Sequence, residues 1–150
     1  TYLGFQAADD RNEEWNILIY SVLLQEQADL RKKGYRVIIL GDFNGHIGNQ
    51  PGVGIFGNKP GINKNGYLLL NFIKNAEITI LNKLCLNPGY CSSHECKYAC
   101  SGLWTRQVAN SATIIDYVLI SQEHKYGVVS MIIDDGDLGF GGDSDHNMCL

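Results

Sequence analysis

A chain of 150 residues with 45% hydrophobic and 19% charged residues has the length and balance of one globular domain, able to bury roughly two-thirds of its unfolded surface. No apolar run approaches the ~20 residues of a membrane span, and no charged-then-apolar start marks a secretion signal, so no membrane partner is expected. The net charge of −4 argues against a broad basic surface that holds nucleic acid by charge alone, although a bound divalent cation would reverse the sign of a local site.

In chain order, "TYLGF" (1–5) reads as the end of a strand, and its start at Thr1, inside an apolar stretch, reads as a truncated beginning. One long helix is predicted over 10–34, with Asp10 as cap, Glu13 three residues on, and Gly34 as a stop after Arg31, Lys32 and Lys33. Trp15, Leu18, Ile19 and Val22 form its expected core stripe. "YRVIILGDF" (35–43) is so uniformly apolar that a strand covered on both faces is expected. Glycine, asparagine and proline make 44–66 a loop, and a second helix follows at about 64–76. Strands are predicted at "EITILNK" (77–83), "LWTRQV", "ATIIDYVLIS" and "VVSMIID", before a glycine-rich turn into "DSDHNMCL". Strands mixed with two helices imply an α/β or α+β layered domain.

Three short stretches carry chemistry. Residues two apart on a strand face the same way, so Asp42 and Asn44 would project together from the end of a buried strand, where an acid and an amide can orient a water and hold a phosphate oxygen. The other reading of "GDFNG" is a plain turn, because Asp, Asn and Gly are the commonest turn residues. In "SDHN" (144–147), Asp145 offers hard oxygen ligands suited to Mg²⁺, and His146 is the natural proton carrier near neutral pH; a surface loop is the bland alternative. Asp116 lies inside an apolar strand, where a carboxylate is costly unless paired. It either faces solvent on an edge or orients His146 and fixes its tautomer.

"GDFNGHIG", "NGYLLLNFI", "TIIDYVLIS" and "DSDHN", in that order, resemble the endonuclease/exonuclease/phosphatase superfamily of deoxyribonuclease I type. The likeness is strongest to the endonuclease domain of non-LTR retrotransposons, and it covers only about the second half of that domain. It implies a four-layer α/β/β/α sandwich with two packed sheets, here without its N-terminal portion, and a Mg²⁺- or Mn²⁺-dependent activity that nicks DNA. By the same resemblance Asp42 would orient or deprotonate the attacking water, Asn44 would hold water and phosphate, and Asp145 would bind the metal. His146 would contact the scissile phosphate with Asp116 as its partner. Tyr2 would reach a phosphate oxygen, although no proline or asparagine follows it as in the family. Trp104 would either lie beside nucleic acid or pack in the core. The implied partners are DNA and either the absent first half or a fused reverse transcriptase.

The family's metal-binding glutamate belongs to that first half. Glu26 in "LLQEQ" imitates it but falls in mid-helix, so it is expected to be a solvated helix residue. Without the first half, apolar sheet surface is expected to stand uncovered, and a catalytically inactive fragment is the alternative to an active enzyme. A phosphoesterase acting on a substrate other than nucleic acid is a further alternative. Finally, the loop Cys85–Cys100 leaves open a zinc site on Cys91, His94, Cys96 and Cys100, a disulfide, or free thiols. Five cysteines, an odd number, with no secretion signal favour thiols and an intracellular setting, nuclear or cytoplasmic.

Overall fold

The computed structural model describes residues 10–48, 50, 61–82, 105–108, 111–128, 133–134, 145–146 and 148–149. The expected strand at 1–5, Tyr2, Trp104 and the cysteine loop therefore lie outside the described residues.

Helix α1 spans Asp10–Lys32 and closes at Gly34, where the Tyr35 N–H donates back to the Leu30 carbonyl at 3.0 Å. Its expected stripe is overturned. Ile19 is buried, but Trp15, Leu18 and Val22 are 56%, 52% and 52% exposed. The buried face instead runs through Asn16, Ile19, Tyr20 and Gln27, at spacings of three, four and seven to eight. The reason is polar. Asn16 Nδ2 donates to Asn65 Oδ1 at 2.8 Å inside the interface with the second helix, and this turns the helix about one residue, roughly 100°, from the apolar choice. Glu26 is exposed in mid-helix, as expected.

Strand β1 (Ile38–Asp42) follows, then helix α2 (Lys64–Ala76), capped by Asn63, whose side-chain oxygen accepts from the Gly66 N–H. Glu77 takes the left-handed conformation (φ 51°) that ends α2 and turns the chain into β2 (Ile78–Ile80). The single strand expected over 112–121 is two. β4 (Ser111–Thr113) pairs with β3 (Arg106–Val108), whereas β5 (Asp116–Ser121) is the centre of a β1–β5–β2 antiparallel sheet. Between them Ile114 and Ile115 are both buried, which strict alternation forbids; the chain bends there and changes sheets. Thr105 Oγ1 holds the bend by accepting from the N–H groups of Ile115 and Asp116, each at 3.0 Å. A 3₁₀ helix (Gln122–Gly127) follows β5, and β6 (Ile133–Asp134) pairs with β7 (Met148–Cys149).

The chain is thus a mixed α/β structure with small antiparallel sheets. Its core lies between α1, α2 and one face of β1–β5–β2, with Leu69, Phe72, Ile47, Tyr117 and Leu119 at its centre. The other face of β1 is not covered as the apolar run predicted. Ile38 and Leu40, alternating away from the helices, are 56% and 68% exposed. No helix among the described residues is long and apolar enough to cross a membrane.

Candidate metal and phosphate site

The register of the central sheet builds the site. In the antiparallel β1–β5 pair, Asp42 stands directly opposite Asp116 at the end of the ladder. Like charges facing each other across strands are destabilising, so this is an unusual place for two carboxylates unless a hydrogen-bond donor joins them. His146 does. Its Nδ1 lies 3.0 and 3.2 Å from the two Asp116 carboxylate oxygens. With the proton on Nδ1 the ring donates to Asp116 and turns Nε2 outward. His146 reaches this spot because its backbone bridges to Arg106 of β3, the strand beyond the bend at 114–115.

Burial raises the Asp116 carboxyl above its ordinary value; the Thr105 hydroxyl and His146 pull it back down, and the neighbouring Asp42 charge pushes it up again. A cation near this carboxylate would relieve both raising effects.

Asn44 does not follow the strand alternation that the sequence suggested. The chain leaves β1 after Asp42, Asn44 has φ 47°, and its N–H donates to Asp42 Oδ1 at 2.7 Å. The turn reading of "GDFNG" is therefore what the backbone does, and it fixes one oxygen of Asp42 while leaving the other for the site. Gly41, immediately before, has φ +153°, a conformation that L side chains rarely adopt. The loop itself is clamped from α2. Asn63 Oδ1 accepts from the His46 N–H at 3.0 Å, and its Nδ2 donates to the Asn44 carbonyl at 3.2 Å. From beneath, the Tyr117 hydroxyl donates to the Gly45 and Ile114 carbonyls at 2.6 and 3.0 Å. His46 sits in the same loop; burial lowers its pKa, and its Nδ1 is buried without a hydrogen-bond partner among the described residues.

Asp145, the expected metal ligand, stands beside His146 and is paired with Arg106. Its Oδ2 is 2.8 Å from Arg106 Nε, and its Oδ1 is 3.8 Å from His146 Nε2. The Arg106 hydrogen bond holds its carboxyl below the ordinary range. The donor atoms that converge, all within 4.8 Å of one another, belong to Asp42, Asp116 and His146. Opposite ligands around an octahedral Mg²⁺ stand about 4 Å apart, so two hard carboxylates and an imidazole at this spacing fit a small divalent cation with little adjustment. The sequence reading missed Arg106, Thr105 and Asn63. Asn63 was legible as a helix cap, but nothing local marks Thr105 or Arg106, whose roles depend on a strand pairing with residues far along the chain.

No family model matches the chain, and no curated protein matches it.

Proposed function

We propose that the chain belongs to a divalent-metal-dependent phosphodiesterase domain of deoxyribonuclease I type, that its substrate is DNA nicked on one strand, and that its setting is intracellular. The observation that carries this reading is the Asp42–Asp116 pair facing across the ladder with the His146 imidazole hydrogen-bonded to Asp116.

In this reading Asp42 and Asp116 would hold Mg²⁺ or Mn²⁺. The bound ion would supply charge for the phosphate and acidity for a water. Asp42, one oxygen fixed by the Asn44 N–H, would orient a water and take its proton as the water oxygen adds to phosphorus, while the P–O bond to sugar breaks and the leaving oxygen takes a proton from solvent. Asp116 holds the His146 ring in one tautomer so that Nε2 faces a phosphate oxygen, with Asn44 beside it. Arg106 has a second use. An arriving phosphodiester competes with Asp145 for its guanidinium, and Asp145, once released, becomes a further carboxylate for the site. The exposed apolar face of β1 supports a second sheet packing there, as the four-layer sandwich requires. The partner would then be the domain's remaining portion, alone or joined to a reverse transcriptase.

The test is nicking of supercoiled plasmid by the purified chain with Mg²⁺ or Mn²⁺. Asp116→Asn and His146→Ala should each lower the rate by ~10²–10⁴-fold, and chelation should abolish it. Arg106→Ala should weaken substrate binding more than turnover at saturation. A folded sample that never nicks would leave a binding-only fragment as the correct reading.

A further inference from the structure

The catalytic cluster occupies one end of the β1–β5–β2 sheet. At the other end, about 14 Å away along β1, three segments meet: the last turn of α1, the residues leading into β1, and the 3₁₀ helix after β5. Arg31 ties them together. It lies 3.1 Å from Glu123 Oε1 and 3.6 Å from Glu77 Oε2, and it donates to the Ala76 carbonyl at 3.1 Å. Around this tie Lys32, Lys33, Tyr35 and Arg36 are all exposed, next to Lys125 and Tyr126.

Two features set this surface apart. First, Arg31, Lys32, Lys33, Arg36 and Lys125, five of the twelve Lys and Arg residues, outnumber the three carboxylates paired among them, Glu77 and Glu123 on Arg31 and Asp29 on Lys32 at 3.5 Å. Second, its tyrosines are in water, Tyr35 60% and Tyr126 86% exposed, with Lys125 Nζ 4.8 Å from the centre of the Tyr126 ring. The helix dipole accounts for basic residues in the last turn of α1. It does not account for Arg36 or Lys125, nor for the two exposed rings beside them. Beside Tyr35 an open cleft of about 540 Å³ is lined by Ala28, Arg31, Lys32, Gly34, Tyr35, Glu123 and His124, within the size range of small-ligand clefts.

Cations that follow a phosphate chain, interleaved with flat rings and beside a polar cleft, are what a single nucleic-acid strand uses. A duplex hides the base faces that such rings would stack on. We propose that this end of the sheet is a second, non-catalytic surface that binds single-stranded nucleic acid. Lys32, Lys33, Arg36 and Lys125 meet phosphates, and Tyr35 and Tyr126 stack on bases. It stands on its own residues and does not depend on the phosphodiesterase reading.

The experiment is fluorescence anisotropy of labelled oligothymidylate and oligouridylate of about twelve nucleotides with the full chain in EDTA, so that no cleavage intrudes. The chain should bind one or both strands, the two arms separating DNA from RNA, with affinity falling steeply between about 50 and 200 mM salt. Tyr35→Ala and Tyr126→Ala should each weaken binding about tenfold. Lys32→Glu with Lys33→Glu should also flatten the salt dependence, by about 0.7 in slope for each phosphate no longer neutralised. The melting temperature of each variant checks that it folds. Binding unchanged by the tyrosine and lysine variants, no binding at all, or capture by phosphatidylserine vesicles in place of the oligonucleotide would each overturn the proposal.

Discussion

Two buried tyrosines, one hydroxyl satisfied and the other not, make the residue scale testable. The Tyr117 hydroxyl donates to the Gly45 carbonyl under the site loop, whereas the Tyr20 hydroxyl is buried with no hydrogen-bond partner among the described residues. Tyr117→Phe would leave buried carbonyls unsatisfied and should cost about 1–3 kcal/mol, whereas Tyr20→Phe should be neutral or stabilising, as chemical denaturation of both variants would read out. Burial raises both phenols above the ordinary value of about 10. A raised folded-state pKa means that the folded chain keeps its proton longer than the unfolded one. Stability from these groups is therefore complete below about pH 10 and is lost as pH rises beyond it. Tyr117→Phe should lose part of that alkaline slope, and Tyr20 should keep the rest. A variant as pH-sensitive as the unaltered chain would contradict the assignment.

At the scale of elements, α2 approaches the site loop closely enough to set its position. A Cβ at Gly66 would meet the His46 carbonyl oxygen at 1.9 Å, with backbone on both sides. Gly66→Ala should therefore cost about 1–3 kcal/mol and displace the 44–46 loop. Because the Asn44 N–H belongs to that loop, plasmid nicking should fall by more than the loss of folded protein explains. An alanine variant of ordinary stability would show that the loop yields. The same elements mark what the residues alone make legible. Strong local signals, a capped apolar run at 64–76 and a basic stretch before Gly34, placed both helices almost to the residue. What failed were decisions taken at long range. A buried Asn16–Asn65 hydrogen bond chose which face of α1 turns inward, against two apolar faces of similar strength. Thr105, ten residues away, broke the apolar run at 114–115 into strands of two sheets. The Asp116–His146 pair was legible because an acid inside an apolar strand needs a partner. The Asp145–Arg106 pair was not, since both residues lie on surfaces where either would be unremarkable.

For the molecule as a whole, one side of the central sheet is packed by helices, and on the other Ile38 and Leu40 of β1 are more than half exposed while Ile120 of β5 is buried. Among the described residues β1 is an edge strand, an arrangement that invites association. Leu40→Lys should leave the melting temperature of the isolated chain within the small change typical of a surface site while reducing concentration-dependent light scattering. A large loss of stability would mean that this face is already covered. The proposed function stands or falls on whether Asp42 and Asp116, beside His146, form one divalent-cation site. Binding of Mn²⁺ to the purified chain, followed by the electron paramagnetic resonance signal of the free ion, decides it. One ion should bind per chain, lost in Asp42→Asn and in Asp116→Asn and kept in variants of the basic surface at the far end of the sheet. An ion bound equally well by Asp42→Asn and Asp116→Asn, or no binding by the folded chain, would contradict the assignment of this site.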